Sequence, residues 1–337
     1  GLKVAVDEQV ADVPASALRT WLRAVPTETE LQLDLKPDAD VVDGLAEILP
    51  DAGTRPVDAG FTVSGGRVSI TPSATGTACC APEARDAIQT AISDPAVRAA
   101  PIQVPLKTIE PDRDEEAAAE LGIVEEVATF TTPHNAGEPR VANIHLMADT
   151  VRGTVIPPGA TFSINGTVGR RTREKGYVEA PIITNEYLFE ADVGGGVSQF
   201  ATTMFNAAFF AGLEIPEYAM HGLYISRYPY GREATLSFPS PDLKVRNTTP
   251  YGVLVWPTYT PSSITVTLYS TKYVTGEQTG QSRDEREARP PRSAPGAPSP
   301  GPCVDVTTER TRTYVDGRKE TDHFSALYAP AEGWTCA

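Results

Sequence analysis

The first part of the chain alternates short strand patterns with amphipathic helical patterns. Strands are predicted at "LKVAVD" and "LQLDL", and helices at "ASALRTWLRAV" and "DVVDGLAEIL". "GFTVSGGRVSI" predicts a hairpin that turns at Gly65–Gly66. "APEARDAIQTAI" has apolar residues at helical spacing, and "APIQVPL" is extended. Residues 1–125 are therefore predicted to form an α+β domain.

Residues 126–275 show a mixed pattern whose second half is rich in strands. "RVANIHLMADTVRG" carries an apolar helical stripe that ends at Gly153, and "TVIPPGATFSI" leaves it through a Pro-Pro-Gly turn. "YVEAPIITNEYLFEADVGGG" predicts strands that run into three glycines. Residues 198–211 are apolar on nearly all sides, which predicts a buried helix. Further strands are predicted at "HGLYISRYPY", "EATLSF", "LKVRNTT", "YGVLVWPTY" and "SITVTLYS".

The C-terminal part predicts a linker followed by a small hairpin. Residues 276–302 are rich in proline and almost free of apolar residues, which is typical of an extended, mobile linker. Residues 303–337 alternate around Asp316–Gly317 and predict a hairpin. Because a two-stranded ribbon is only marginally stable alone, we expect a Cys303–Cys336 disulfide to join its open end. The predicted fold class of the whole chain is α+β.

Charge and cysteine usage narrow the possible functions. The net charge of −15 disfavours nonspecific binding to nucleic acid or anionic lipid, so no nucleic-acid partner is expected. No apolar run approaches the roughly 20 residues that span a bilayer, and the first residues lack a signal-peptide pattern. If the protein is exported, we expect its signal or membrane anchor to lie upstream. The spacing of the four cysteines suits no zinc site, and no phosphate loop or dinucleotide motif occurs, so neither a metal nor a cofactor is expected.

The adjacent pair Cys79–Cys80 allows several interpretations. A strained vicinal disulfide is one, although two buried thiols or separate partners are favoured. An even number of cysteines in a proline-rich chain favours an oxidising compartment.

The triple glycine before the apolar helix is the main candidate site. Gly194, Gly195 and Gly196 can adopt positive φ and turn their amides towards one point, and the following helix adds unpaired amides and the positive end of its dipole. Such an arrangement would bind a carboxylate or a developing oxyanion. The alternative is a tight strand-to-helix turn in which Ser198 caps the helix. Gln199 and Thr202 complete the candidate ligand-binding set.

Three residues are catalytic candidates. A nucleophilic Ser198 would need a nearby base, for which His221 is the best candidate. Arg227 could bind a carboxylate bidentately or support an oxyanion. A packed histidine and a surface arginine are the simpler alternatives. Other residues considered were Glu190 and Asp192, which could orient a histidine, and a basic cluster that could meet wall carboxylates, made of Arg170, Arg171 and Arg173.

Residues 130–273 resemble the VanW family, named after an accessory protein of vancomycin-resistance clusters. The matching stretches are "RVANIHLMADTVRGTVIPPGATFSINGTVGRRTREKGY", "GGGVSQFATTMFNAAFFAGLEI", "HGLYISRYPYGREATLSFPSPDLKVRN" and "LVWPTY". The preceding domain, above all "GFTVSGGRVSI", resembles a peptidoglycan-binding domain often placed before VanW modules, and the tail weakly resembles wall-associated β modules. Many VanW members carry cysteine shortly after the glycines, where this chain has Ser198.

The resemblance implies an extracytoplasmic protein that faces the cell wall and is attached to the membrane only through an N-terminal anchor. The favoured function is recognition of peptidoglycan, with a stem-peptide carboxylate or carbonyl in the pocket at Gly194–Ser198. One alternative is an acyl transferase or hydrolase that acts on peptidoglycan peptides with Ser198 as the nucleophile. Another alternative is a non-catalytic envelope scaffold.

Overall fold

The computed structural model describes residues 2–29, 31–183 and 189–337. It divides into two compact units, the first made of Gly1–Gly60 with Ile70–Ala118 and the second of Phe61–Ser69 with Ala119–Ala337. Each unit combines helices with small sheets, so the α+β class is confirmed. No helix in these three ranges is both long and apolar enough to cross a membrane. The predicted boundary near residue 125 stays a prediction.

The first unit packs its helices on short strands around an apolar core that includes Val4, Leu45 and Ile88. The predicted hairpin at Gly65–Gly66 is confirmed by the pairing of Gly60–Ser64 with Arg67–Thr71, a hairpin that the boundary between the units divides. The helices of the first unit are Ala15–Trp21, Asp38–Ile48, Ala84–Ser93 and Glu115–Glu120, with a 3-10 turn at Val97–Ala99. The remaining strands are Leu2–Val6, Gln9–Val13, Leu22–Pro26, Leu31–Leu35, Gly53–Thr54, Gly76–Ala78, Ile102–Gln103 and Lys107–Ile109.

Two predictions for the first unit are wrong. The helix predicted over "ASALRTWLRAV" ends at Trp21, because Leu22–Pro26 instead pairs antiparallel with Leu31–Leu35 and satisfies its backbone groups there. Cys79 and Cys80 form a vicinal disulfide, the alternative that the sequence did not favour.

The second unit surrounds the helix Ser198–Phe210, called here the central helix. Its other helices are Pro139–Val151 and Ile164–Val168, with a 3-10 turn at Arg173–Lys175. Its first strands are Glu125–Pro133, Thr154–Ile156, Thr161–Ser163, Glu179–Ile183, Phe189–Val193 and Glu214–Glu217. The later strands are Lys244–Arg246, Val253–Thr260, Ser263–Ser270, Val274–Arg286, Ala288–Arg289, Cys303–Tyr314, Lys319–Tyr328 and Thr335–Cys336.

The central helix is buried as predicted, because apolar residues occupy nearly every face. Phe200, Met204 and Phe205 have no exposed surface, and the antiparallel strands Val253–Thr260 and Ser263–Ser270 pack nearby in the same core. Burial of this many large apolar side chains stabilises the unit, at about 1.5 to 3 kcal/mol for each. The start of this helix is therefore held in a fixed position, where it forms the base of the site described below.

Several strand predictions in the second unit fail. "HGLYISRYPY" and "EATLSF" are irregular, apart from a bridge between Leu223 and Ala329. Their apolar residues reach the core from irregular backbone, a contact that periodicity alone does not distinguish from a strand. The strands predicted around the triple glycine are confirmed at Glu179–Ile183 and Phe189–Val193, and residues 184–188 lie outside the described residues.

The prediction of a mobile linker at 276–302 is wrong for its first half. Val274–Arg286 forms the edge strand of a sheet with Cys303–Tyr314 and Lys319–Tyr328, called here the C-terminal sheet. Most side chains of this edge strand lie in solvent, so the strand needs no apolar pattern. Its polar composition therefore did not predict a strand. The predicted hairpin and its Cys303–Cys336 disulfide are confirmed.

The C-terminal sheet is joined to the end of the central helix by a buried arginine. Arg310 is only 1% exposed and donates hydrogen bonds to the carbonyl oxygens of Phe209 (3.1 Å) and Leu213 (3.0 Å). These carbonyls lie at the C-terminal end of the helix, where a cation is favoured by the helix dipole. The sheet is therefore an integral part of the second unit rather than a separate tail.

Candidate functional site

A cleft of about 1120 Å³ opens beside the N-terminal end of the central helix. Five of the eight predicted site residues line it: Gly194, Gly196, Ser198, His221 and Arg227. Gly195, Gln199 and Thr202 do not. The cleft lies within the second unit and is formed by the glycine turn, the start of the helix Pro139–Val151 and the irregular segment 220–241.

The triple glycine is required by close backbone packing. Gly194 and Gly196 have φ of +87° and +90°, a region that other residues rarely adopt. A Cβ atom on Gly195 would overlap the carbonyl oxygen of Ala180, and one on Gly196 would collide with Arg140. The buried Asn143 holds the turn by donating to the Gly195 carbonyl oxygen at 2.9 Å. The glycines thus allow two neighbouring elements to approach the start of the helix.

The three glycine amides do not converge on one point, contrary to the sequence-based expectation. The Gly194 amide donates to the Val178 carbonyl oxygen (3.0 Å) and the Gly195 amide to that of Asp192 (3.1 Å), so the turn itself uses both. The amides of Gly196 and Ser198 find no acceptor among the described residues. Two donors at the helix N-terminus therefore belong to residues that line the cleft.

Ser198 does not cap its own helix. The N-cap residue is Val197, and no side chain caps this end. The Ser198 hydroxyl oxygen instead accepts a hydrogen bond from the Leu236 amide at 3.1 Å and lies 3.4 Å from the Thr235 hydroxyl. The capping interpretation is therefore wrong: Ser198 ties a distant segment to the start of the helix, and it remains half-buried beside the cleft.

His221 is held by a carboxylate that the sequence analysis did not identify. Its Nδ1 atom lies 3.1 Å from a carboxylate oxygen of Glu233, and its backbone amide donates to the other oxygen at 3.2 Å. Glu233 has no exposed surface and His221 is 7% exposed. The His221 Nε2 atom has no partner among the described residues, although it is not sealed from solvent. The contact between Nδ1 and Glu233 is at ion-pair distance but lacks hydrogen-bond geometry, and His221 and Ser198 are not hydrogen-bonded to each other.

Tyr328 of the C-terminal sheet lies close to Glu233. Its hydroxyl oxygen accepts a hydrogen bond from the Gly231 amide at 3.1 Å. Burial, together with the negative charge of Glu233, raises the pKa of Tyr328 and keeps the phenol neutral. The neutral hydroxyl lies close to the buried carboxylate, so the sheet contributes to the surroundings of His221.

Four arginines line the cleft without a carboxylate partner. Arg140, Arg170, Arg171 and Arg227 lie there, beside only two exposed or half-buried acids, Glu138 and Asp192. No carboxylate oxygen of the described residues is within 4.0 Å of any of the four guanidinium groups. The chain has a net charge of −15, whereas four arginines and only two acids line this cleft. The cleft is therefore locally positive in an otherwise acidic protein.

These arginines differ in how firmly they are held. Arg140 donates to the Gln199 side-chain oxygen at 2.9 Å, and Arg171 to the Asn165 side-chain oxygen at 2.6 Å. Burial lowers the pKa of Arg171, because the charged guanidinium is partly desolvated. Arg170 and Arg227 are exposed. The cleft therefore combines two positioned guanidinium groups with two that are exposed to solvent.

Gln199 and Thr202 are occupied inside the fold. Gln199 is completely buried and also donates to the Pro133 carbonyl oxygen at 2.9 Å. The Thr202 hydroxyl exchanges hydrogen bonds with the backbone of Ala234 at 3.0 and 3.1 Å. Their polar side chains join the central helix to its neighbours, a role that sequence does not separate from ligand binding. Glu190 and Asp192 are exposed and do not orient His221, which is the role of Glu233.

Comparison with known proteins agrees with the resemblance seen in the sequence. A family model described as "VanW like protein" matches residues 139–269. The chain carries a VanW-like domain. The match contains the glycine turn, Ser198, His221, Arg227 and Glu233, whereas Tyr328 lies outside it.

Two curated relatives share this domain. The chain is 37% identical over 174 residues to "Uncharacterized protein YoaR" of Bacillus subtilis, a match that covers 51% of this chain and 57% of the relative. It is 29% identical over 152 residues to "Vancomycin B-type resistance protein VanW" of Enterococcus faecalis, covering 41% of this chain and 54% of the relative. The chain thus spans little more than half the length of either relative. No solved structure gives a significant match.

Proposed function

We propose that this protein acts at the cell envelope and binds peptidoglycan in the cleft, with the terminal carboxylate of a stem peptide at the N-terminal end of the central helix. The observation that carries the proposal is the group of four arginines without carboxylate partners beside the unpaired amides of Gly196 and Ser198. Guanidinium groups and helix N-termini are the donors that proteins use for carboxylates. An acidic chain that concentrates such donors in one cleft is suited to an anionic ligand.

The envelope location has two further supports. The VanW-like domain is shared with a vancomycin B-type resistance protein, which favours a link to vancomycin resistance or to peptidoglycan. The Cys303–Cys336 disulfide is typical of an extracytoplasmic protein. The first unit resembles a peptidoglycan-binding domain and is a second candidate for wall binding. A pull-down of the whole chain with insoluble peptidoglycan tests binding by both units together.

Titration calorimetry with defined stem peptides tests the carboxylate pocket. A peptide with a free C-terminal carboxylate should bind roughly tenfold or more tightly than its C-terminal amide, as expected for a charge-assisted hydrogen bond. Arg170→Gln and Arg227→Gln should each reduce this difference. Arg98→Gln, at an exposed arginine of the first unit, is the matched control. Equal affinities for the acid and the amide would contradict the proposal.

Acyl transfer is the second candidate function, favoured by the His221–Glu233 pair in the same cleft as Ser198. In that reaction the Ser198 oxygen attacks a peptide carbonyl, His221 Nε2 accepts the hydroxyl proton, and the departing amine receives it. Water or a second amine then releases the acyl group. The Ser198 hydroxyl would have to turn from Leu236 towards His221, which substrate binding can achieve.

Mass spectrometry of defined muropeptides separates the two candidates. Catalysis predicts a mass change that is lost in Ser198→Ala. Binding without a mass change supports recognition alone, and the absence of both binding and conversion supports a scaffold.

A further inference from the structure

Two exposed aromatic rings stand in the cleft beside the arginines. Among the described aromatic side chains, Tyr224, Phe238 and Tyr259 are the most exposed, at 43%, 40% and 37%. Tyr224 and Phe238 line the cleft, whereas Tyr259 does not. Exposed aromatic rings that gather in one concave site are a feature of ligand-binding surfaces.

Tyr224 is rigidly held although it is exposed. Its hydroxyl donates to the Tyr228 carbonyl oxygen at 3.2 Å, and its ring makes edge contacts with Tyr230 and Tyr328, with centroids 4.7 and 5.6 Å away. An aromatic ring fixed in this way loses little conformational entropy when a ligand covers it. The exposed part of Tyr224 is therefore prepared for stacking.

Phe238 offers a second apolar surface in a polar setting. The guanidinium carbon of Arg171 lies 5.8 Å from the centre of its ring. Ser226 and Ser237 also line the cleft, one near each ring in sequence. The rings are thus accompanied by hydroxyl and guanidinium groups, which suits a ligand with an apolar face and a polar rim.

We infer that Tyr224 and Phe238 form a sugar subsite of the cleft, which takes pyranose rings of the glycan that carries the stem peptide. This inference rests on the proposed function and adds the glycan to the ligand. A pyranose ring has an apolar face of C–H groups and a rim of hydroxyl groups. The negative face of an aromatic ring attracts such C–H groups, while nearby serine and arginine side chains bond to the rim. The methyl side chains of a short peptide match these two broad rings less well.

Calorimetric titration with three probes tests the subsite. The probes are an N-acetylglucosaminyl–N-acetylmuramyl peptide, the same peptide without sugar, and the disaccharide without peptide, with its lactyl carboxylate converted to the amide. The sugar-bearing peptide should bind at least about tenfold more tightly than the free peptide. Tyr224→Leu and Phe238→Leu, which keep apolar volume but remove the aromatic face, should abolish this gain, so that each variant binds the two peptides with equal affinity. Tyr259→Leu, at the exposed aromatic residue outside the cleft, should change neither affinity.

The three probes keep this inference separable from the proposed function. If the two peptides bind equally, or if the leucine variants weaken both equally, the sugar subsite is overturned and the carboxylate pocket stands. If the disaccharide alone binds and Tyr224→Leu abolishes that binding while the free peptide does not bind, the subsite is supported and the carboxylate pocket fails. If neither sugar-bearing probe binds, the subsite is overturned.

Discussion

The Nδ1 atom of His221 lies 3.1 Å from a carboxylate oxygen of Glu233, and the protein interior surrounds both side chains. The two residues are twelve positions apart in sequence, and both belong to an irregular segment. A buried carboxylate is costly unless it is paired and hydrogen-bonded. Through this contact and the hydrogen bond from the His221 backbone amide, Glu233 joins two parts of the segment that forms one wall of the cleft.

Removing His221 alone should be strongly destabilising. His221→Ala leaves the Glu233 carboxylate buried and unpaired, which should lower the free energy of unfolding by about 3 to 5 kcal/mol. The double variant His221→Ala with Glu233→Gln should recover part of this loss, as measured by urea unfolding. The control is His323→Ala, whose exposed partner Glu309 lies at 3.7 Å and should contribute below about 1 kcal/mol. Equal losses in the two single variants would contradict the buried pairing.

Tyr328→Phe tests the support from the C-terminal sheet. The substitution removes the hydroxyl that accepts from the Gly231 amide and lies near Glu233, and it leaves the ring in place. We expect the free energy of unfolding to fall by about 1 to 3 kcal/mol, because buried polar groups lose their partner. Tyr259→Phe, which removes an exposed hydroxyl bonded to Asp149, should cost much less. Thermal and urea unfolding of both variants provide the comparison.

Ser198→Cys tests the electrostatic field at the start of the central helix. The positive end of the helix dipole and unpaired amides should stabilise the thiolate, so the thiol pKa should fall below its usual value of about 8.5. The rate of iodoacetamide alkylation as a function of pH measures that pKa. Ser226→Cys, which is exposed in the same cleft but not on this helix, is the matched control. The same thiol pKa at both positions would show that the helix end exerts no such field.

Gly195→Ala separates steric collision from backbone strain. The added methyl group would meet the Ala180 carbonyl oxygen, so we expect a loss of about 3 kcal/mol of stability and a displaced glycine turn. Gly137→Ala is the comparison, because Gly137 has φ of +79° but open space around its Cβ position. That variant should cost only about 1 kcal/mol, the penalty for the left-handed conformation. A Gly195→Ala protein as stable as Gly137→Ala would refute close packing at this turn.

His145 should make the second unit less stable in mild acid. Burial, reinforced by the neighbouring His134, lowers the pKa of His145 from its ordinary value of 6.5. The unfolded chain therefore binds this proton first, so stability falls as the pH drops below about 6.5 and levels off below the native pKa. His145→Phe, which preserves stacking on Tyr259, should flatten the curve between pH 7.5 and 5.5. In urea unfolding, His323→Gln, at an exposed histidine, should retain the wild-type slope.

Local patterns in the sequence predicted those elements whose buried positions repeat regularly along the chain. The apolar surface all around residues 198–211 predicted the buried central helix, and the patterns "YGVLVWPTY" and "SITVTLYS" predicted two strands that the structure confirms. The triple glycine predicted a tight turn with positive φ, which Gly194 and Gly196 adopt. Ser198, His221 and Arg227 were selected by their chemistry and do line one cleft. Residue type and periodicity predict which side chains are buried, because the direction of the side chains repeats regularly along a helix or strand.

Only the tertiary structure decided the partners of these residues. Ser198 bonds to an amide 38 positions away, the Gly194 and Gly195 amides are used by the turn, and Glu233 rather than Asp192 holds His221. Arg140 reaches the cleft from another helix, and Val274–Arg286 becomes a strand because Cys303–Tyr314 pairs with it. Hydrogen bonds, desolvation and charge pairing depend on which distant segments meet. Local spacing does not encode that information, because chain packing creates those contacts.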